Sequence, residues 1–445
     1  VSNSSVLPQA YWPGTRIQGA PKVSVLFVSG ALAAAIPLIL SLYWIAFWLA
    51  PESLGAPLRI CVCGWSILLG LFWYRAALSH AEVLLFRVLA VSAIAWLIPA
   101  LMATGRNHAL AGWIKMLLLF VMCCFAARGL RHPATAHVFG VALVAGALIL
   151  AAFVLFIYAR YVGFTVPTYK TVREFKGSIQ LGGVPLNTIA FGLVFSYLMG
   201  VCLLRTTRRL LVIGFALVLI ATFFTGSRTP LAVLAASIFV LLCINGLRSR
   251  AIGGRIGTAL LVGITAVTLF IGVLSASDAE LFHISEGRTH LWSAAIQKFE
   301  ERPLFGFGYE SWRDDLVSRL PGEYDLTYDL AASLGGGYHN EYVTILAEEG
   351  LIGAFAAALL LWLLLRASWL LAFRRWATAK NYQWILLAAI FLILRANVEV
   401  PGLFGYAQDP ADYLAYLFVA IAVSRFSVEE DYARLVAASA TGRAA

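Results

Sequence analysis

The feature that most limits what this chain can become is the recurrence of apolar runs about 20 residues long, the length at which a helix crosses a bilayer's hydrocarbon core. They follow one another almost from end to end, separated by short polar breaks. A soluble domain carries about 25% charged residues. This chain has 13%, with 61% hydrophobic residues and a mean hydropathy of +0.84, so it cannot cover a surface facing water. The expected fold class is an all-α polytopic membrane protein of about twelve spans. These are Val23–Trp48, Leu58–Tyr74, Ala81–Ala103, Leu110–Ala127, Val138–Ala159, Ile189–Leu204, Leu210–Phe224, Pro230–Ile244, Ile256–Leu274, Tyr342–Leu365, Trp384–Leu394 and Ala411–Val423. The eleventh is too short unless it continues past Arg395.

The segments follow: an N-terminal tail 1–22, nine spans over 23–275, a large polar loop 276–341, three more spans over 342–424, and a C-terminal tail 425–445. The N-terminal stretch lacks a signal-peptide pattern, so the first run reads as a retained span. Six cysteines sit inside apolar runs without CxxC or Cys/His ligand spacing, and neither disulfides nor zinc are expected. The net charge of +10 raises the question of nucleic acid. Its basic residues form short scattered clusters rather than one continuous face, so a nucleic-acid partner is not expected.

Lys and Arg set the orientation. With the N-terminus inside, the cytoplasmic loops hold Arg75, Arg128, Arg131, Arg205, Arg208, Arg209, Arg248, Arg250, Arg255, Arg366, Arg374, Arg375 and Lys380. Both termini are then cytoplasmic, and the 276–341 loop lies outside. Several basic residues break the rule. Arg160, Lys170, Arg173 and Lys176 fall between the fifth and sixth spans, Arg228 in the turn Gly226-Ser227-Arg228-Thr229-Pro230, and Arg288 in the large loop. Their position on the disfavoured side points to an anionic ligand. Arg59 and Arg106, also outside, read as headgroup contacts.

The large loop is aromatic-rich and far longer than a usual connection, which argues for function. From Thr289 to Glu300, Leu291, Trp292, Ala295, Ile296 and Phe299 share one helical face, as in a helix lying along a membrane surface. Gly335–Gly337 then lead to Tyr338-His339-Asn340. His339 stands where the loop re-enters the membrane, and an imidazole suits proton transfer at neutral pH. Asn340 is placed to cap the tenth helix. The competing reading of His339 is an interfacial histidine bonded to backbone. Arg228 precedes a helix opened by Thr229 and Pro230, where free N–H groups and the dipole favour an anion and a guanidinium fork suits phosphate. Headgroup snorkelling is its alternative, and pairing with Glu286 is that of Arg288. His283 and His290 read as structural, and Asp314-Asp315 as a solvated pair. Glu348 and Glu349 fall two turns into the tenth helix, where charge is costly. The small residues Gly350, Gly353, Ala354 and Ala357 read as a packing stripe.

His339-Asn340, nine intervening residues, then Gly350-Leu351-Ile352-Gly353 resembles the H-[NSQ]-x9-G-x-x-[GTY] signature of O-antigen ligases and bacterial protein O-oligosaccharyltransferases. Gly287 to Trp292 followed by Pro303-Leu304-Phe305-Gly306-Phe307-Gly308 resembles the large periplasmic loop of that superfamily, and Gly226 to Thr229 its short arginine turn. The resemblance covers about Thr225–Gly353. It implies transfer of a glycan from an undecaprenyl-pyrophosphate donor to a lipid A-core sugar hydroxyl, at the periplasmic face of the bacterial inner membrane. His339 would act as general base, with Arg228 and Arg288 on the pyrophosphate. Arg160, Lys170, Arg173, Lys176 and Asn340 join the candidate substrate contacts. Direct displacement would invert the anomeric centre. Pyrophosphate already leaves readily, so no metal and no cofactor are expected, and membrane lipids are the remaining partner. The O-antigen polymerase and the protein O-oligosaccharyltransferase are the alternatives. The latter commonly carries an added soluble C-terminal region, and the short tail here favours the ligase. A transporter or flippase fits less well, because the unusual charges gather at one face and no repeat is visible.

Overall fold

The computed structural model describes residues 23–49, 51–73, 77–103, 105–163, 171, 186–204, 208–227, 229–248, 288–309, 338–374, 382–397 and 410–440. The elements in these stretches are helices, numbered here in chain order: α1 Val23–Leu49, α2 Pro51–Leu71, α3 His80–Met102, α4 Arg106–Gly129, α5 Pro133–Val162, α6 Leu186–Leu203, α7 Arg208–Phe224, α8 Thr229–Arg248, α9 Arg288–Glu301, α10 Glu341–Phe373, α11 Gln383–Ala396 and α12 Pro410–Ala440. Seven are long and apolar enough to cross a membrane, and four shorter apolar helices accompany them. The chain is an all-α polytopic membrane protein. Eleven of the expected spans have a helix at their position. The span expected at Ile256–Leu274 lies outside the described residues, as do the N-terminal tail, Asp314, Asp315 and His283.

Side-chain bonds sort the helix ends onto two faces. At one, Arg131 bridges Glu82 at the start of α3 and Asp431 on α12, and also donates to the Ala77 carbonyl. Glu82 completes a capping box with Ser79. Arg425 donates to the Leu130 carbonyl, and Tyr382 donates to Glu429. Arg248, ending α8, lies over Trp369 and Phe373 near the end of α10. His132, beside this network, stacks on Trp73 at 4.6 Å. Burial, and then the Arg425 charge, hold its imidazole below the usual histidine range. This arginine-rich face gathers the ends expected on one side. At the opposite face lie the α3–α4 turn at Ala103, the ends of α5 and α7, and the start of α10.

Between the faces, α6, α11 and the first half of α12 are buried almost all round. Phe191 and Phe391 stack at 5.7 Å, and Phe195 meets Phe418 edge-on at 5.3 Å. Around this core α1 packs on α5 and α2, while α10 packs chiefly on α3.

Three elements depart from expectation. α11 ends at Ala396, one residue past Arg395, and at 14 residues stays among the shorter apolar helices; the Arg395 guanidinium lies 3.9 Å over the Phe191 ring and is buried. α12 continues beyond Val423 to Ala440, because its charged end is held by Arg131, Tyr382 and the Glu430–Arg434 pair. α9 buries part of its apolar face against α10. Leu291 and Ala295 pack with Tyr338 and Ala347 of the α10 end, while Ile296 stays 48% exposed. The buried stripe is Leu291, Ala294, Ala295 and Lys298, the spacing of a helix facing another helix.

Candidate active site at a broken helix

The site is built around the start of α10. Asn340 is extended (φ −156°, ψ 112°), and its Oδ1 accepts from the N–H groups of Tyr342 at 3.0 Å and Val343 at 3.1 Å. Two of the helix's orphan donors are thereby satisfied. Thr344 Oγ1 returns a bond to the Asn340 carbonyl at 2.8 Å. On the other side, Tyr338 is buried against Leu291, Ala295 and Ala347. Between these two anchored neighbours, His339 is half-buried and takes φ +52°. Among the described residues it is the one non-glycine residue in the left-handed region. That conformation costs an L-residue roughly 1–2 kcal/mol. It persists because both flanking residues are fixed, a condition that recurs at functional sites.

Below the cap, α10 is not one helix. Gly350 has φ 62° and ψ −161°, and the ladder breaks there. In a continuous helix the N–H of Leu351 would reach the Ala347 carbonyl and that of Ile352 the Glu348 carbonyl. Instead Leu351 donates to the Pro303 carbonyl at 2.8 Å and Ile352 to the Leu304 carbonyl at 3.3 Å. The vacated carbonyls are taken by Phe307, donating to Ala347 at 3.1 Å, and Gly308, donating to Glu348 at 2.7 Å. The segment 303–308 thus replaces both sides of two missing bonds. Full satisfaction of this kind is what an apolar surrounding demands of a broken helix. The approach is close. A Cβ on Gly306 would stand 2.3 Å from the Glu348 carbonyl carbon, and one on Gly350 would stand 2.5 Å from that of Leu304. Both glycines also have φ near +62°. Gly353, three residues on, would bring a Cβ within 3.1 Å of Trp96 Nε1 on α3. The small-residue stripe therefore serves helix packing at Gly353 and a break at Gly350.

This docking orders α9. Its end is tied through Pro303 to the break, and its body shares a cluster with Tyr338, Val343 and Ala347. α9 and the outer half of α10 therefore run side by side in the same direction, and the residue that opens α9, Arg288, lies at the same end as His339. The buried carboxylates Glu341, Glu348 and Glu349 lie along that outer half. The Tyr342 hydroxyl donates to the Ile393 carbonyl at 3.1 Å, fastening the end of α11 beside it.

The other candidates are placed unequally. Arg160 is exposed in the last turn of α5. Its neighbour Tyr158 meets Phe224 edge-on at 4.5 Å, so Arg160 shares its end of the bundle with the turn after α7. In that turn Thr225 and Ser227 are buried, with Thr225 Oγ1 accepting from the Ser227 N–H at 3.2 Å, and α8 opens at Thr229 with Pro230 following. Arg228 itself lies outside the described residues, as do Lys170, Arg173 and Lys176. Asn340 is occupied as a helix cap. His290 falls within α9. Among the described residues, no three His, Cys, Asp or Glu side chains gather as they would to hold a metal ion. Reading the sequence missed Lys298, which is fully buried. Its spacing of seven from Leu291 is the signal that could have found it.

No curated protein matches the chain. Residues 213–358, running from within α7 to within α10 and including Arg228, Arg288, His339 and both glycines of the break, match the family model described as O-antigen ligase, and that match supports the O-antigen ligase and polymerase superfamily for this chain.

Proposed function

We propose that this chain is an O-antigen ligase: it moves a glycan from undecaprenyl pyrophosphate to a sugar hydroxyl of lipid A-core at the periplasmic face of the inner membrane. The observation that carries the reading is the strained His339, held in the left-handed region at the mouth of a broken helix inside the matched segment. His339 takes the proton of the acceptor hydroxyl as its oxygen attacks the anomeric carbon. The bond to pyrophosphate breaks on the opposite face and the configuration inverts. Charge gathers on the leaving pyrophosphate as the bond lengthens, and Arg228 and Arg288 stabilise it there. Their guanidinium forks match phosphate in a way an ammonium does not. The step needs no metal and no nucleotide.

The test is reconstitution of purified protein with an undecaprenyl-pyrophosphate glycan and lipid A-core, without nucleotide and with EDTA. Ligated lipid A-core is expected. Elongated lipid-linked glycan in its place would identify a polymerase, and loss of turnover restored by added Mg²⁺ would overturn the metal-free step. His339→Gln keeps size and hydrogen bonding but cannot act as a base, so it should lower turnover on the order of 10²–10⁴-fold with donor binding kept. A folded H339Q protein working near the wild-type rate would remove His339 from the mechanism.

A further inference from the structure

Toward the arginine-rich face, α10 carries Trp362, Arg366, Trp369 and Phe373 at helical spacing along one side. Both indoles are exposed. The Arg366 guanidinium lies 5.5 Å from the centroid of the Trp362 ring, and Arg248, ending α8, lies 5.5 Å from that of Trp369 and 4.3 Å from that of Phe373. The depth of Arg366 follows from helix register. The Ser92 hydroxyl donates to the Ala356 carbonyl at 3.4 Å, and Gly353 lies against Trp96, so α3 and α10 run antiparallel. Counting equally along both from the Ser92 bond brings Arg366 level with Glu82, in the first turn of α3. That is where the chain leaves the membrane, at the depth of lipid headgroups. A ring face attracts a guanidinium's charge but leaves its N–H donors for oxygen acceptors. The carboxylates of this face are engaged elsewhere, Glu82 and Asp431 with Arg131 and Glu430 with Arg434. Among the described residues, none pairs with Arg366 or Arg248. Beside the stripe, Leu84, Leu363, Ala367, Val423 and Phe426 join Arg366 in lining a small groove between α3, α10 and α12, apolar but for that arginine.

We propose that this stripe and groove bind an anionic phospholipid. Arg366 donates to its phosphate, an acyl chain lies along the groove, and Arg248, further along the stripe, adds to the positive field. Charge selects the occupant. A guanidinium at headgroup depth with no carboxylate partner is complementary to a phosphate, whereas a zwitterionic headgroup brings its own ammonium. The exposed indoles suit the same boundary, being apolar in body and polar at the N–H. A soluble phosphate would gain nothing from the apolar groove. The assignment goes beyond the transfer reading and does not rest on it, since the stripe lies at the opposite end of α10 from His339.

The experiment takes full-length protein in neutral detergent and follows bound lipid by native mass spectrometry, and Tm, as phosphatidylglycerol or phosphatidylethanolamine is added. Phosphatidylglycerol should bind and raise the Tm, and phosphatidylethanolamine at the same concentration should do neither. Arg366→Gln should weaken phosphatidylglycerol binding roughly tenfold, the scale of one lost charge-assisted hydrogen bond. Arg248→Gln should weaken it roughly fivefold, as one charge removed from near the headgroup. Arg434→Gln removes an exposed cation of the same face that has its own carboxylate, and should leave binding unchanged. Inorganic phosphate in excess should not displace the lipid. Equal binding of the two lipids, undiminished binding by R366Q, an equal loss in R434Q, or displacement by inorganic phosphate would each overturn the proposal. If R366Q does not accumulate, the wild-type preference between the two lipids and the loss in R248Q decide.

Discussion

His339 is held in its left-handed conformation against its own preference, and that gives it an unusual mutational behaviour. Glycine enters this region without steric cost, and asparagine tolerates it. His339→Gly and His339→Asn should therefore match or exceed the wild type in thermal stability, by up to roughly 1 kcal/mol, while losing transfer activity. A histidine serving only the fold would lose stability together with activity. Thermal denaturation in detergent set beside turnover separates the two. Asn340 should behave in the opposite way. Its Oδ1 satisfies two backbone donors, so Asn340→Ala should cost about 1 kcal/mol of stability. At this scale the sequence was informative: a histidine followed by a capping residue at the head of an apolar run identified both positions. Nothing in the order of residues shows the φ of His339, because that angle results from Tyr338 and Asn340 being fixed on either side.

At the scale of elements, the sequence marks where helices start far better than where one is interrupted. α10 is apolar and carries no proline, and Gly350 reads equally well as a packing residue, so the pattern alone does not reveal the break. It becomes visible only once a second segment, 303–308, is seen to supply the missing partners. Gly306→Ala would push a Cβ into the Glu348 backbone, which cannot move aside as a flexible side chain can. We expect G306A and G350A each to lose folded protein or, where folded, most turnover, with strain of about 1–3 kcal/mol at each site. Alanine at Gly105, where an added Cβ would meet nothing within 4 Å, should leave fold and turnover intact. Folded yield by gel filtration distinguishes these outcomes. The burial of Lys298 was hidden for a related reason: a lysine gives no sign of a buried position by itself, and only the α9–α10 packing shows it.

For the whole molecule, the grouping of helix ends implied by the alternation of Lys and Arg agrees with how side-chain bonds sort them onto two faces, while which face lies outside is for labelling to decide. The reach of the last helix was less legible, since α12 runs on through charged residues that look like a tail until Arg131, Tyr382 and Leu130 are found to hold it. Single cysteines at Ser293, exposed on α9, and at Arg434, exposed near the end of α12, should label from opposite sides of intact membranes. Labelling of both from one side would overturn the orientation and move the proposed chemistry out of the periplasm. The transposed bonds at Gly350 bear on heredity and engineering as well. Neither partner can be exchanged alone. A loop grafted from a relative without its own α10, or the reverse, would leave amides and carbonyls orphaned in an apolar surrounding, each at several kcal/mol. Recombination between relatives should succeed only when residues 288–353 travel as one cassette.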